Sequence, residues 1–435
     1  SSDAMERAIV DGIEWLGLDV DEGPFFQSAA RARHAGDAAR LLASGHAYRC
    51  FCPPELLERT RRTAPGGGRD YVYPRTCRGL PAARSRQRTD AGEPFAVRFA
   101  VPDREIGWRD LVHGDKRFAG DAIEDFILLR SDGSPTYMMS VVSDDVEMRI
   151  SHVIRGDDHI SNTPKQILLY EALERPTPHF AHLPLILGSD RKRLSKRHGA
   201  VSLLEYRERG YLPQAVLNFL ALLGWSPGDD RQKMTRDELV HSFDLGGVGR
   251  AGAIFDSEKL DWLNGQYLNE LDAADIAALV RTRLGAAGLW RDSFDAGEGE
   301  LLAGTLELLK TRARTLDDFV ERARPYLDPS DDFPYEAQAA DKHLGDEAVG
   351  ERVARLAGRW SGLADWKAGL LEASLREVAH ELGVSAGKLI HPVRLAVTGH
   401  GVSPGIFEVL ELLGRERSLR RLRRLIERVD RNAVS

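Results

Sequence analysis

The chain has 435 residues, enough to bury several hydrophobic cores, so two to four domains are expected. At 42% hydrophobic and 29% charged residues the composition is ordinary for a globular protein, and no apolar run approaches the roughly 20 residues of a membrane span, which excludes an integral membrane protein of the helical kind. A formal net charge of −7 excludes a globally basic nucleic-acid binder but not a local basic face, and three cysteines exclude a disulfide framework and point to a reducing cytoplasm.

Residues 1 to about 45 read as two amphipathic helices around the loop Gly17-Leu18-Asp19-Val20-Asp21-Glu22-Gly23-Pro24. From 46 to about 130 the pattern is strand-rich: Phe95 to Val101 alternates in part, Phe126 to Arg130 is a second apolar run, and Pro65-Gly66-Gly67-Gly68 interrupts the first part. From 131 to about 200 short apolar runs alternate with helical patterns. Ser140-Val141-Val142, Val153-Ile154 and Leu183 to Leu187 predict strands, and Thr163 to Leu173 predicts a helix started by Asn162 or Thr163, with Pro164 in its first turn. Such alternation marks a parallel, nucleotide-binding α/β sheet. Short helices are expected at Leu203–Arg209, Gln214–Leu223 and Arg236–Phe243, and from about 266 onward charged amphipathic helices dominate. The acidic stretch Asp328 to Asp332 reads as a loop between helices and a place for a domain linker.

Several segments carry chemistry. The run from Leu185 to Gly199 is an apolar strand that breaks at Gly188 into a loop crowded with cations and one hydroxyl, Ser195. Such a loop suits a nucleotide triphosphate, because lysine can follow the charge that grows as pyrophosphate leaves and arginine can grip phosphate through two hydrogen bonds. Solvated surface is the bland alternative. Arg155 follows an apolar strand, at the end where α/β sheets bind ligands, and can either clasp a carboxylate or pair with Asp157 or Asp158. Tyr137, placed before a predicted strand, is either core or pocket wall. Cys50-Phe51-Cys52 and Cys77 offer three thiolates, a metal site or simply three reduced cysteines. Arg312 reads as an exposed helix arginine. Cations cluster at Arg59, Arg61 and Arg62, at Arg84, Arg86 and Arg88, and along a tail with Arg415, Arg417, Arg420, Arg421, Arg423 and Arg424. Each cluster is solvated surface or an RNA contact.

Taken in register, longer motifs resemble the bacterial glutamyl-tRNA synthetases, which are class I aminoacyl-tRNA synthetases. Arg193-Leu194-Ser195-Lys196-Arg197 looks like their KMSKS loop in its KLSKR form, with Arg193 where the first lysine stands. Val153 to Gln166 resembles the segment placed beside glutamate and ATP. Gly210-Tyr211-Leu212-Pro213, Leu222 to Pro227, Phe255-Asp256 to Trp262-Leu263-Asn264-Gly265, His391 to Gly399 and Ser403 to Glu408 follow in family order, so the likeness covers essentially the whole chain. The resemblance implies an α/β class: an incomplete Rossmann-type catalytic domain with a connective insertion, followed by all-α stem-contact and anticodon-binding domains. In these terms 1–45 is the remainder of the first half of the catalytic domain and 46–130 the connective insertion for the tRNA acceptor end. Residues 131–200 form the second half with the KMSKS-type loop, 201–265 the helical stem-contact domain and 266–435 the helical anticodon-binding domain.

The resemblance also implies roles. ATP, with Mg²⁺, would meet Asp158, Arg193, Leu194, Ser195 and Lys196, with Lys196 and Arg193 stabilising the transferring phosphates. L-glutamate would meet Tyr137, Arg155 and His159, the last at a position often tryptophan in relatives, while Met138-Met139 replaces the usual small or polar pair. Arg312 would read the third anticodon base of tRNA(Glu). One structural Zn²⁺ would sit on Cys50, Cys52 and Cys77, with Tyr73 as fourth ligand because Gly79 cannot ligate. A cytoplasmic monomer without membrane contact is expected. The family's opening strand and HIGH-type loop are not found, so the chain is expected to lack that amino-terminal segment. A truncated, catalytically inactive tRNA-binding protein is the alternative to an active ligase. The helical reading of 266–435 argues against the shorter queuosine-modifying relative and against a glutaminyl enzyme, whose anticodon region is a β-barrel.

Overall fold

The structure, a computed structural model, describes residues 3–63, 73–194, 202–331 and 333–434. It divides into two compact units. One comprises residues 18–200 and 220–255; the other comprises 1–17, 201–219 and 256–435.

In chain order, α1 (Asp3–Trp15) belongs to the second unit. The first unit begins with α2 (Arg31–Ala43), β1 (Ala47–Cys50), α3 (Pro54–Thr63), α4 (Ala82–Asp90) and β2 (Ala96–Phe99). β3 (Ile106–Asp110), β4 (Gly114–Phe118), β5 (Ile127–Leu129), α5 (Tyr137–Glu147), β6 (His152–Gly156), α6 (Thr163–Ala172), β7 (His179–Leu183) and β8 (Ile186–Leu187) follow. α7 (Leu203–Glu208) and most of α8 (Pro213–Ala221) belong to the second unit, and the first unit resumes before α9 (Arg236–Ser242) and β9 (Ala253–Ile254).

Two larger sheets organise the first unit, and β8 and β9 pair in parallel as a third, two-stranded one. β1, β2 and β5 form an antiparallel three-stranded sheet. The other larger sheet has the order β4-β3-β7-β6, in which β3, β7 and β6 run parallel and β4 closes the edge antiparallel. β3 falls in the 46–130 stretch, yet Asp110 pairs with Phe180 of β7, so that stretch contributes to both larger sheets. One apolar core joins these two sheets and the helices on them, through Leu41, Phe99, Ile106, Leu128, Met139, Leu169 and Phe180, all essentially buried.

The helix at Thr163 and the strand at Val153-Ile154 lie where the pattern puts them. Ser140-Val141-Val142 does not form a strand: it lies inside α5. A short apolar run cannot be told from a buried helix face by periodicity, and here Met139, Ser140, Val142 and Ser143 recur at helical spacing. Polar ties from α2 hold that helix: Ser143 Oγ donates to Asp37 at 2.6 Å, and Asp144 accepts from Arg33 at 2.5 Å and meets His34 Nε2 at 2.7 Å. The run Leu183 to Leu187 splits into the end of β7 and the two residues of β8, interrupted by Pro184, which has no N–H for a ladder.

The second unit continues with α10 (Ser257–Leu268), α11 (Ala273–Ala286), α12 (Gly299–Lys310), α13 (Leu316–Leu327), α14 (Ala337–Leu344), α15 (Val349–Ser361), α16 (Ala368–Glu381), α17 (Gly387–Thr398), α18 (Ile406–Leu413) and α19 (Arg415–Val434). Asp256 and Asp272 cap α10 and α11 by accepting from the N–H groups of Lys259 and Asp275. Among the described residues after 266 there is no strand, and none of their helices is long and apolar enough to cross a membrane.

The acidic stretch after α13 is no linker. Asp331, 6% exposed, accepts from Arg417 Nε at 2.7 Å, Arg421 Nε at 2.9 Å and Arg420 Nε at 3.0 Å, which ties the α13–α14 connection to α19. Arg417 and Arg421 are therefore internal struts rather than solvated surface, while Arg420 and Arg424 reach the same turn from exposed positions and Arg423 is exposed.

Candidate active site and metal centre

Arg155 is the last-but-one residue of β6, at its carboxyl end, and its guanidinium is half-buried. Neither Asp157 nor Asp158 pairs with it. Its Nη2 donates to Gln166 Oε1 at 2.7 Å and Thr163 Oγ1 at 2.9 Å, and its Nε points to His182 Nε2 at 3.3 Å. Among the described residues no carboxylate lies within ion-pair distance, and burial, only partly offset by Tyr137 and the more distant Asp145, lowers the Arg155 pKa.

Tyr137 opens α5 rather than preceding a strand, and at 45% exposure it is not core. Its hydroxyl meets Arg155, and its ring lies 5.9 Å from that of His159. Met139 is fully buried, while Met138 joins Tyr137, Arg130, Arg98 and Tyr73 along a cleft of about 430 Å³. Gly156 has no Cβ, and that space is used: a methyl there would lie 2.7 Å from the Asp158 carboxylate, which folds back over it. Asp158 in turn holds Arg193 Nη2 at 3.1 Å and stands 4.0 Å from His159 Nε2.

Arg193 reaches Asp158 from a tight hairpin. The Gly188 N–H donates to the Lys192 carbonyl, the Leu194 N–H donates to the Ile186 carbonyl, and Arg191 takes a φ of +59° in the turn. Thus Tyr137, Arg155, His159, Asp158 and Arg193 form one continuous constellation, with Leu194 at its edge. Ser195 and Lys196 lie outside the described residues.

The cysteines also converge. The Sγ atoms of Cys50, Cys52 and Cys77 lie within 4.8 Å of one another, and Tyr73 Oη is 3.2 Å from Cys50 Sγ and 3.6 Å from Cys52 Sγ. A tetrahedral zinc at ~2.3 Å from each sulfur would space the sulfurs by roughly 3.7 Å, so the four atoms fit such an ion with small shifts. The Cys77 N–H donates to Tyr73 Oη, leaving that oxygen lone pairs for a cation. Burial opposes ionisation of Cys50, but hydrogen bonds from Tyr73, the Cys52 backbone and Arg98 outweigh it and hold that thiol below its ordinary value. Burial pushes Cys52 up to about 11. Arg98, 6% exposed, stacks 3.9 Å above the Tyr73 ring and sets a positive charge against the cluster.

In the helical unit Arg312 is exposed just past α12. Arg394 on α17, quoted in the sequence only as part of a longer motif, lies close enough that the Arg312 charge, after burial, depresses its pKa. Arg394 donates from Nε to Ser403 Oγ at 3.1 Å and from Nη1 to His391 Nδ1 at 3.2 Å, and His391 stacks on His343 at 4.3 Å. Sequence reasoning also missed Asp110 and His182 behind Arg155: both lie in unremarkable strand patterns, and only the sheet brings them together.

Residues 1–262 match the family described as tRNA synthetases class I (E and Q), catalytic domain, and residues 266–426 match an anticodon binding domain. Glutamate–tRNA ligase 2 of Koribacter versatilis is 44% identical over 98% of this chain and 88% of its own length. The glutamate–tRNA ligase of Thermodesulfovibrio yellowstonii is 42% identical over 98% and 90%. The crystal structure of a glutamate tRNA ligase from Elizabethkingia meningosepticum in complex with its amino acid superimposes with a TM-score of 0.85 at 30% identity, over 98% of this chain and 90% of that one. The chain belongs to the class I aminoacyl-tRNA synthetases, and among them to the glutamate–tRNA ligase family.

Proposed function

We propose that the constellation around Arg155 binds L-glutamate and ATP, forms glutamyl-adenylate and transfers glutamate to the 3′ end of tRNA(Glu). The observation that carries this reading is a half-buried guanidinium at the carboxyl end of a parallel strand, fixed by neutral partners and with no carboxylate of the described residues at ion-pair distance. A substrate carboxylate supplies what is missing. The α-carboxylate of glutamate, already ionised at neutral pH, attacks the α-phosphorus and pyrophosphate leaves; then a terminal ribose hydroxyl of tRNA attacks the adenylate carbonyl and AMP leaves. ATP arrives as its Mg²⁺ complex, and Arg193 and Lys196 balance charge on the departing phosphates. The test is glutamate-dependent pyrophosphate exchange and tRNA charging. Lys196→Ala is expected to lower kcat by on the order of a hundredfold while tRNA affinity persists. Tight tRNA binding without any charging would overturn the catalytic reading in favour of a binding protein.

We further infer that Cys50, Cys52, Cys77 and Tyr73 hold one structural zinc, which would cross-link β1 to the turn before α4 and take no part in the reaction. In the helical region Arg312 and Arg394 are the candidate readers of the anticodon. Arg312→Gln is expected to weaken discrimination at the third anticodon base by roughly 1–3 kcal/mol, the value of a good base contact. Binding constants for glutamate and glutamine tRNAs report it; an unchanged ratio rejects the role.

A further inference from the structure

We propose that Asp110 and His182 are positioning residues for the substrate: a buried carboxylate–imidazole pair that fixes the His182 tautomer and so presents an acceptor, rather than a donor, to the Arg155 guanidinium. The proposal rests on the reading of Arg155 as the group that takes glutamate.

Both side chains are fully buried, and His182 Nδ1 lies 2.5 Å from Asp110 Oδ2. The other carboxylate oxygen, Oδ1, is occupied by three backbone donors: the N–H groups of Val112 at 3.1 Å, His113 at 2.9 Å and His182 itself at 3.3 Å. These hydrogen bonds outweigh burial and keep Asp110 below the ordinary carboxylate range, so it is ionised and can only accept. The imidazole proton facing it therefore sits on Nδ1. Burial disfavours a second proton on His182, and its pKa is lowered. Nε2 is then a bare lone pair. It receives Arg155 Nε at 3.3 Å and Thr163 Oγ1 at 3.2 Å. Gln166 Oε1 and Thr163 Oγ1 take Nη2. One edge of the guanidinium is thus held by neutral acceptors, which steer it without neutralising it.

The arrangement predicts a specific failure. In Asp110→Asn the backbone donors still require Oδ1, so the amide NH₂ must face His182 Nδ1. The imidazole proton then moves to Nε2 and opposes Arg155 Nε–H, donor against donor. The KM for glutamate is expected to rise roughly tenfold or more, the order of one charge-assisted hydrogen bond, with the KM values for ATP and tRNA within about twofold of the parent. In ¹⁵N-histidine spectra, the His182 signals, assigned by loss in His182→Gln, should report Nδ1–H in the parent and Nε2–H in Asp110→Asn. His182→Gln keeps an acceptor oxygen toward Arg155 and should retain more glutamate affinity than His182→Leu, a difference that a merely structural role would not produce. That pair also decides the matter should Asp110→Asn fold poorly. Arg155→Ala separates the two ideas. If it leaves the glutamate KM unchanged, the reading of Arg155 fails and the relay has no ligand to serve. If it raises that KM while Asp110→Asn shifts neither the KM nor the tautomer, or Gln and Leu at 182 behave alike, the relay alone is overturned.

Discussion

Asp331→Ala is expected to destabilise the helical unit by about 3–5 kcal/mol, the usual cost of breaking a buried ion pair from one side. The size follows from what the carboxylate serves. Arg421 is 2% exposed; its Nη2 donates to Asp331 Oδ1 and to the Pro325 carbonyl, both at 2.5 Å, and its Nη1 to the Val397 carbonyl. Arg417 reaches the carbonyls of Tyr326 and Asp328, and Arg424 donates to the Asp331 carbonyl at 2.5 Å. Without the carboxylate, three guanidinium groups crowd one site with no counter-charge, and one of them has no route to water. Burial already lowers the Arg421 pKa to about 10. Urea titration followed by helical circular dichroism measures the loss; a change below about 1 kcal/mol would show that the arginines relax to other partners. The same carboxylate sets an acid limit. Burial opposes its ionisation, but the arginines hold it at about 2, below the ordinary 3.8, so its contribution is fully present above pH 3.8 and is lost as pH falls through about 2. The depression corresponds to about 2 kcal/mol, which Asp331→Asn removes at neutral pH.

The contrast between Asp331 and Thr163 explains what the sequence can tell. The start of α6 is local chemistry: Asn162, Thr163 and Pro164 lie together, and the helix begins there. The long carboxyl-terminal helices announce themselves through period, and the cysteine pair with Cys77 announces a possible site through residue type alone. Asp331 and the α19 arginines are some 90 positions apart, and an acidic loop and a basic helix each read as surface until packing joins them. The same holds for Asp110 and His182, 72 positions apart. The place of β3 in the parallel sheet is hidden for a related reason: β4 follows it as a local hairpin, but β7 is parallel and distant, and parallel pairing leaves no turn signal in between. The strand expected at Ser140-Val141-Val142 failed on periodicity, where three residues were too few to separate two repeats. Of the candidate site, the family-like motifs located Tyr137, Arg155, Asp158, His159 and Arg193, whereas the neutral acceptors that aim Arg155 were legible only once the sheet was in hand.

Removing zinc from the cysteine cluster is expected to loosen the segment from β1 to α4 by several kcal/mol, a large share of the ~10 kcal/mol or more that structural zinc delivers to small folds. The share is below the whole because much of the site is held without the ion. Arg98 donates to the Asp125 carbonyl at 2.8 Å, and the Asp125 carboxylate takes the Tyr48 hydroxyl at 2.8 Å and the Val101 N–H at 3.0 Å. Tyr73 and Cys77 therefore have a rigid floor under them, while a zinc ion would supply the charge that holds the facing sulfurs together. Protein prepared without chelator should carry close to one equivalent of zinc, and cobalt should replace it with the visible absorption of a tetrahedral thiolate site. Cys77→Ser should lose the metal outright, whereas Tyr73→Phe should keep it with lower affinity, because three thiolates remain. Since every ligand must be deprotonated, metal should be released as pH falls. Protease cleavage within residues 46–95, compared with and without chelator, reads the loosening directly. Metal-free protein with an unchanged cleavage pattern and no cobalt spectrum would leave three reduced cysteines packed around a tyrosine, and the zinc assignment would be wrong.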